Sequence, residues 1–291
     1  MFMSENKTKR VWASEDGESF HPAKPVYSEI PRGIYSLNYS LEHGAHLSKI
    51  HFKNDNPVEI LNSYYQDIKD DFNSFINLKS KYKSSGIEYN RAILIHGQPG
   101  CGKKYLCRRV AESYDGIVVY VEDPTDLSSF ISFIKESNND ADILIIMEEF
   151  GVSLEKYGIS AAKNILKSND SGDGIYFIAT TNFETKIAEF LTDKPGMFEE
   201  KYFIEYPDEL ERGQYIKSFC EKLDIKISKS KVGKISKETN GLSIGHIKNL
   251  IESVELYGYN YLEKLEELKE MRDNIISSTY SNNASGNIGF E

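Results

Sequence analysis

Residues 97–104 are the part of the chain best suited to bind a phosphate group, since they read Gly-Gln-Pro-Gly-Cys-Gly-Lys-Lys. A mostly apolar run at 92–96 precedes them, and a stretch with helical character at 105–113 follows. A strand, a glycine-rich turn and a helix in this order cradle phosphate oxygens with backbone N–H groups and with the positive end of the helix. Lys103 adds a positive charge for the β- and γ-phosphates. The residues predicted to contact a nucleotide are Gly97, Gln98, Pro99, Gly100, Cys101, Gly102, Lys103, Lys104 and Tyr105.

The last residue of this pattern, Lys104, departs from the usual phosphate loop, which carries serine or threonine after its lysine. The hydroxyl group of that residue ligates Mg²⁺, whereas an ammonium group has no lone pair to donate to a metal. A lysine at this position would contact phosphate directly and replace part of the charge of the metal. The sequence therefore indicates nucleotide binding more strongly than it indicates hydrolysis.

Two adjacent carboxylates, Glu148 and Glu149, follow the apolar run at 143–147. In open α/β sheets the carboxyl ends of the strands form the ligand crevice. Two neighbouring carboxylates are costly there unless a cation lies near, and Mg²⁺ carried by a bound nucleotide would satisfy them. We predict that Glu148 holds the metal through water and that Glu149 is the general base for the attacking water. The alternative is a pair of solvated charges at an exposed strand end.

A further polar group follows the next apolar run, at 175–179, where the chain reads Thr180-Thr181-Asn182. An amide at this place can orient the attacking water or contact the γ-phosphate. Threonine and asparagine at a strand end are also ordinary turn residues, so the pattern is weak by itself. As the third element in the correct order it strengthens the prediction of a catalytic site formed by Lys103, Glu149 and Asn182.

The order of apolar and helical segments predicts an α/β fold with a parallel sheet and helices on both faces, followed by an all-helical lid. Apolar runs at 92–95, 117–121, 143–147, 175–179 and 202–204 alternate with helical patterns. The predicted segments are a flexible tail at 1–25, a strand hairpin with a long helix at 26–84, the nucleotide-binding α/β domain at 85–207, the helical lid at 208–278 and a flexible tail at 279–291. The long helix is expected at 57–83, with Asn56 as its N-cap.

Composition narrows the class of protein. The chain has 291 residues, a net charge of −10 and 40% hydrophobic residues, which fits a globular protein and argues against nucleic acid as the main ligand. It has no apolar run long enough for a membrane span and no apolar signal core, so we expect a cytoplasmic protein, in a host cytoplasm if the chain is viral. His43, His46 and His51 lack a recognisable metal-ligand spacing.

The three cysteines, Cys101, Cys107 and Cys220, have no metal-ligand spacing and no even pairing, which fits a reducing compartment. Cys101 lies inside the phosphate loop and admits two interpretations. It is either a redox-sensitive group or a small residue that fits the loop, and the second interpretation is favoured.

The phosphate loop, the acidic pair and the Thr-Thr-Asn segment together resemble Walker A, Walker B and sensor 1 of the AAA+ ATPases. Residues 194–198, Lys-Pro-Gly-Met-Phe, resemble the Arg-Pro-Gly-Arg-Phe segment of the AAA clade. Residues 206–208 with Arg212 look like the start of the helical lid, and residues 241–249 look like its Gly-x-Ser-Gly-Ala-Asp-Leu motif. The resemblance covers about residues 85–260. Within the superfamily the chain looks most like single-ring ATPases of the mitochondrial Rieske-protein translocase type and their bacterial and phage relatives.

Several residues depart from the family pattern. Glu148 stands where most relatives have aspartate, and Lys194 and Met197 stand where the family has arginines that reach the neighbouring subunit. No arginine lies in the 241–249 motif, so sensor 2 is absent. Lys194 is the candidate trans-acting finger, with the arginines at 108, 109 and 212 as rivals that have structural alternatives. The loss of the Mg²⁺-ligating hydroxyl and of these arginines predicts that ATP hydrolysis is slow, dependent on a partner or absent.

The segment after the second core strand lacks the aromatic-glycine pore loop of relatives that thread polypeptides. Leu127, Phe130, Ile131 and Ile134 have the spacing of the buried face of a helix instead. Threading of unfolded peptide is therefore poorly supported.

The resemblance implies ATP and Mg²⁺ as cofactors and assembly into a homo-oligomeric ring, of six or seven subunits, that remodels a protein partner. The alternative is a subunit that binds ATP without efficient hydrolysis and acts as a scaffold or switch in a larger assembly. A nucleic-acid loader is disfavoured by the net charge of −10.

Overall fold

The computed structural model describes residues 11–13, 21–23, 28–41, 44–52, 63–125, 127–138, 141–158, 173–182 and 197–284. Within these residues the strands are β1 (Val11–Ala13), β2 (His21–Ala23), β3 (Gly33–Ser40), β4 (Gly44–Lys49), β5 (Asn90–Gly97), β6 (Ile117–Val121), β7 (Ile143–Met147), β8 (Ile175–Thr181) and β9 (Glu200–Ile204). The helices are α1 (Ser63–Asn77), α2 (Lys79–Ser85), α3 (Lys103–Ser113), α4 (Leu127–Ser137), α5 (Phe150–Tyr157), α6 (Glu209–Lys222), α7 (Lys229–Glu238), α8 (Ile244–Glu255) and α9 (Tyr261–Ala284).

Seven strands form one sheet in the order β4-β3-β6-β7-β8-β5-β9. Strand β4 is antiparallel to β3, and all other neighbouring pairs are parallel. The central strands are buried on both faces, which is why β7 is a continuous apolar run with every residue buried. The α/β fold class predicted from the sequence is confirmed.

Helices cover both faces of the sheet because alternate strand residues point to opposite sides. On one face, Leu144 and Ile146 belong to a core that also contains residues of α1 and α3. On the other face, Ile143 and Ile145 belong to a core that contains residues of α4 and α5. Leu127, Ile131 and Ile134 of α4 are buried and Phe130 packs against them, so the predicted buried face of this helix is confirmed.

The predicted strand hairpin is present, and it extends the main sheet. Strand β3 pairs with β4 in antiparallel register and with β6 in parallel register, from Gly33↔Ile117 to Leu37↔Val121. The pairing with β6 was not expected from the sequence, since a parallel partner distant in the chain leaves no local signal. The hairpin therefore lies beside the carboxyl ends of β6 and β7.

The helix predicted at 57–83 is interrupted. Its described part begins at Ser63, while the predicted N-cap at Asn56 and the residues up to 62 lie outside the described residues. Helix α1 ends at Asn77 and α2 begins at Lys79, with Leu78 in between at ψ of 1°, outside helical geometry. Apolar spacing continues through this break, which is why the sequence pattern did not reveal it.

A partly buried polar cluster fixes α1 to the sheet. Asp71 on α1 accepts hydrogen bonds from Nε of Arg91 at 2.8 Å and from the hydroxyl of Tyr176 at 2.5 Å. Arg91 is the second residue of β5 and Tyr176 lies on β8, so one carboxylate ties the helix to two neighbouring strands. The strand that leads into the phosphate loop is thereby held in place.

The lid consists of α6–α9 around its own apolar core, which includes Ile216, Leu242, Ile247, Leu250 and Leu268. Asp208 and Glu211 form a capping box at the start of α6. Ser243 caps α8, where its hydroxyl accepts from the backbone N–H of His246. These caps satisfy the first N–H groups of each helix and fix where it begins.

The terminal segments differ from the predicted flexible tails. Strands β1 and β2 pair through Val11↔Ala23, Trp12↔Pro22 and Ala13↔His21, within the segment predicted as a tail at 1–25. The polar composition of that segment hid two short extended runs. Helix α9 continues past residue 278, its predicted end, to Ala284. Across the described part of the chain, none of the helices combines the length and the apolar character that a membrane crossing needs.

Candidate nucleotide site

The sheet order brings the three predicted site segments to one edge. Strand β8 lies between β5 and β7, and all three run parallel. Their carboxyl ends therefore meet, which places the phosphate loop after β5 next to Asn182 after β8 and the acidic pair after β7.

The phosphate loop has the backbone conformation that its glycines allow. Gly97, Gly100 and Gly102 have φ of 141°, 76° and 99°, a region that other residues rarely adopt. Gly102 is the N-cap of α3, so Lys103 and Lys104 begin the helix whose N-terminus faces the loop. Cys101 is buried, and Tyr105 lies on the first turn of α3.

Replacing Gly97 by alanine is expected to destabilise the protein by about 3 kcal/mol or more, because overpacking and backbone strain add at this position. A Cβ atom at Gly97 would lie 2.1 Å from the backbone oxygen of Ile204, in the neighbouring strand β9. Gly86→Ala is the matched control, because Gly86 also has positive φ but no atom lies within 4 Å of where its added methyl group would be. Urea unfolding of both variants measures the difference, and equal midpoints would contradict the described packing.

Lys103 lies under the loop and contacts its backbone. Its Nζ atom donates to the carbonyl oxygens of Gly97 at 2.7 Å and Gln98 at 2.8 Å. Only 6% of the residue is exposed. Burial disfavours the charged form and lowers the pKa of Lys103 to about 8, although the nearby Cys101 and Glu149 act in the opposite direction.

The lowered pKa of Lys103 predicts that ATP affinity falls as the pH rises through about 8. The charged ammonium binds phosphate, and deprotonation removes that charge, so the affinity declines by at most about tenfold per pH unit. The terminal phosphate of ATP has a pKa of about 6. Affinities measured between about pH 7 and 9 therefore respond to the protonation of Lys103 and not to that of the phosphate. Calorimetric affinities across this range check the prediction, with Lys103→Met as the variant that should lose the pH dependence. A flat profile for the unmodified protein would refute it.

Cys101 has the character of a packing residue. It is 3% exposed, and burial raises the pKa of its thiol to about 11. The reactive form of cysteine is the thiolate, so a thiol that stays protonated is a poor redox sensor. The geometry favours the interpretation of Cys101 as a small residue that fits the loop.

Glu149 and Asn182 contact each other directly. The Nδ2 atom of Asn182 donates to both carboxylate oxygens of Glu149, at 3.0 and 2.9 Å. Glu149 has φ of 53°, and its backbone N–H donates to the hydroxyl of Thr180 at 3.2 Å. One segment that is distant in sequence, residues 180–182, thus fixes both the backbone and the carboxylate of Glu149, as a positioned general base requires.

Glu148 is paired with the residue that replaces the usual hydroxyl. Its Oε2 atom lies 3.1 Å from Nζ of Lys104. Hydrogen bonding to Glu148 raises the pKa of Lys104, so the lysine stays charged. Among the described residues, no group of three or more histidine, cysteine, aspartate or glutamate side chains is arranged to hold a metal ion. The predicted metal ligand Glu148 is therefore paired with a cation, and the charged Lys104 offers no lone pair to a Mg²⁺ ion where a hydroxyl group would.

The lid contacts the phosphate loop. The backbone N–H of Gly245, in the first turn of α8, donates to the carbonyl oxygen of Gly100 at 3.0 Å. A Cβ atom at Gly100 would lie 2.7 Å from the hydroxyl oxygen of Ser243. Glycines on both sides permit this close approach, and they bring the 241–249 motif against residues predicted to bind phosphate.

Comparison with known proteins finds similarity to ATPases. The chain is 21% identical over 233 residues to the peroxisomal ATPase pex1 of Schizosaccharomyces pombe, covering 74% of the chain and 25% of that protein. It is 21% identical over 171 residues to a putative ribosome biogenesis ATPase nvl of Dictyostelium discoideum, and 22% identical over 209 residues to the ATP-dependent zinc metalloprotease FtsH 2 of Petrotoga mobilis. These relatives are AAA+ ATPases, and the similarity at 21–22% identity supports the AAA+ family resemblance of this chain.

The aligned regions cover only part of this chain and a smaller part of each relative. No family model matches the chain. The second and third comparisons cover 52% and 65% of this chain but only 20% and 32% of those relatives.

The three arginines considered as rivals of Lys194 have structural partners. Arg212 is 3% exposed and donates to the carbonyl oxygens of Pro207 at 2.6 Å and Ser236 at 2.8 Å, so it packs the lid. Arg108 donates to Glu112, and Arg109 lies over the ring of Tyr65. These contacts favour structural roles for the three arginines over a role as a finger that reaches the nucleotide of a neighbouring subunit.

Lys194 and Met197 stand at the two positions where the family has arginines that reach the neighbouring subunit. Lys194 lies outside the described residues. Met197, the other position where relatives carry arginine, packs against the core on the α4–α5 face of the sheet.

A cleft beside the acidic pair was not predicted from the sequence. The cleft has a volume of about 500 Å³, and its walls include Phe52, Tyr120, Glu122, Glu148 and Val152. Phe52, just after β4, meets Tyr120 of β6 at a ring-centroid distance of 6.1 Å. The sequence signal that could have indicated the cleft was Phe52, the aromatic residue that follows the hairpin. Its contact with Tyr120 depends on the β3–β6 pairing, which the sequence did not predict.

Proposed function

We propose that the chain binds ATP at residues 97–104 and is a ring-forming ATPase that couples ATP binding and hydrolysis to remodelling of a protein partner. The observation that carries this proposal is the meeting of the phosphate loop with the Glu149–Asn182 pair at one sheet edge, under the lid. The chain spans no more than about a third of the relatives compared above, so their activities are expectations for this chain.

In this proposal each residue has a separate task. Backbone N–H groups of the loop and the α3 N-terminus hold the phosphates, and Lys103 balances the β- and γ-phosphate charge. Glu149 accepts the proton of the attacking water, and Asn182 keeps the carboxylate aimed at it. Mg²⁺, which the family resemblance implies as a cofactor, would arrive on the nucleotide, since Glu148 is paired with Lys104.

The second candidate function is a nucleotide-binding scaffold or switch. Two observations favour it: the Lys104–Glu148 pair in place of a metal ligand, and the burial of Arg212 inside the lid. An arginine finger contributes about 10³–10⁵ in rate in related phosphoryl transfer, so its loss would leave binding intact and turnover slow.

The proposals about subunit assembly and about the class of partner rest on the similarity to this family. The names of the relatives describe ATPases and ATP-dependent proteases. We propose a homo-oligomer of six or seven subunits, a protein partner and a cytoplasmic setting, in which three free cysteines stay reduced. The net charge of −10 opposes subunit association at low salt.

Native mass measurement with and without ATP, in the same sample used for equilibrium dialysis of ATP, tests the proposal. The expected result is saturable ATP binding together with a shift to a ring mass when ATP is added. A strict monomer in both states would overturn the ring, and absence of bound ATP would overturn the function.

A further inference from the structure

We propose that the Lys104 ammonium takes the role of the divalent cation in this site, so that ATP binding does not require Mg²⁺. This inference rests on the proposed function, because it concerns how the same phosphate loop binds ATP. It also predicts a binding property that distinguishes this chain from a phosphate loop with serine or threonine at the same position.

The first supporting observation is the position of the ion pair. Lys104 is the second residue of α3, directly after the lysine predicted to bind phosphate, and Glu148 directly follows β7. Their charged atoms are 3.1 Å apart. The Lys104 side chain therefore reaches from the start of α3, directly after the phosphate loop, to the acidic pair.

The second observation is the charge around Lys104. Besides Glu148, the carboxylates of Glu149 and Glu122 line the same cleft as Lys104. Lys103 directs two of its donors to the loop carbonyls of Gly97 and Gln98. Lys104 is thus a cation placed among the carboxylates that follow β6 and β7.

The third observation is that the ammonium can contact two anions at once. An ammonium group carries three N–H donors on a flexible stem, so it can bridge a carboxylate and a phosphate oxygen. The Lys104 side chain is 66% exposed, while the Glu148 side chain is 26% exposed. The head group has a carboxylate on one side and an open approach on the other.

Isothermal titration of the full chain with ATP, once in excess Mg²⁺ and once in EDTA, tests the inference. The unmodified protein is expected to bind ATP with affinities that differ by less than about tenfold between the two conditions. Lys104→Thr restores a hydroxyl and removes the cation, so its affinity in EDTA should fall by more than about tenfold and recover in Mg²⁺. Lys104→Arg keeps the charge and is the matched control, with affinity in EDTA retained.

Three results would be decisive against the inference. If the unmodified protein binds ATP in Mg²⁺ but not in EDTA, the proposed function stands and Lys104 does not replace the metal. If Lys104→Thr binds ATP in EDTA as tightly as the unmodified protein, the ion pair is only structural. If the unmodified protein binds ATP in neither condition, the proposed function itself fails.

Discussion

Replacing Lys103 by alanine lowers the affinity for ATP by about 100-fold. A hydrogen bond to a charged group contributes about 1.5–3 kcal/mol, and about 1.4 kcal/mol corresponds to a factor of ten in affinity. Lys103 sits at the start of α3 beneath the loop and supplies the positive charge closest to its backbone carbonyls. Its removal leaves the backbone donors in place but removes that charge. Equilibrium titration with ATP at neutral pH measures the loss.

This substitution needs a folding control because Lys103 is buried. Lys103→Met keeps most of the side-chain volume and should lose affinity to a similar extent. Lys83→Ala, at an exposed position of α2, removes a lysine elsewhere and should leave affinity unchanged. Thermal unfolding of each variant shows whether the fold is retained. Unchanged ATP affinity in a folded Lys103→Ala protein would mean that the nucleotide binds somewhere else.

Replacing Glu149 by glutamine keeps ATP binding and reduces turnover by about 10²–10⁴-fold, the usual contribution of a general base. Glutamine has nearly the same shape, and its carbonyl oxygen still accepts from the amide of Asn182. It cannot take a proton from water. The expected combination is therefore an unchanged affinity with a turnover close to background, measured by titration and by phosphate release.

Glu155→Gln is the matched control for this charge change, since Glu155 lies on the exposed side of the following helix, α5. It should leave both affinity and turnover unchanged. Asn182→Ala tests the positioning of the base, and we expect a smaller fall in turnover because the Glu149 carboxylate remains. Equal turnover in the unmodified protein and in Glu149→Gln would show that another group activates the water.

Much of this architecture could be predicted because its signals are local. Strands buried on both faces read as continuous apolar runs, so β5–β8 were recognisable without a structure. The glycines at 97, 100 and 102 occupy backbone conformations that need glycine, and their spacing made the loop recognisable. The order of strand-end polar residues was sufficient to predict that Glu149 and Asn182 belong to one site.

Features that depend on pairing between distant segments could not be predicted. The parallel pairing of β3 with β6 joins segments that lie far apart in the chain, and the cleft lined by Phe52 exists only because of it. The ion pair of Lys104 with Glu148 likewise requires α3 and the end of β7 to be neighbours. The break at Leu78 lies inside an apolar spacing that continues on both sides, so periodicity conceals it.

The departures from the family pattern bear on whether the chain is an enzyme or a scaffold. Lys104 and the buried Arg212 weaken the case for fast hydrolysis, whereas the hydrogen-bonded Glu149–Asn182 pair has the geometry of the proposed base and its positioning group. A positioned base has no evident use in a protein that only binds ATP. We therefore expect turnover, at a rate that depends on what a neighbouring subunit or partner supplies.

Steady-state phosphate release over a range of protein concentrations, with Lys103→Ala measured in parallel, tests the central claim most directly. An assembling ATPase predicts release per subunit that rises with protein concentration and is absent in the variant. Release that never exceeds the variant at any concentration, in a protein that binds ATP, would contradict the account and favour the scaffold.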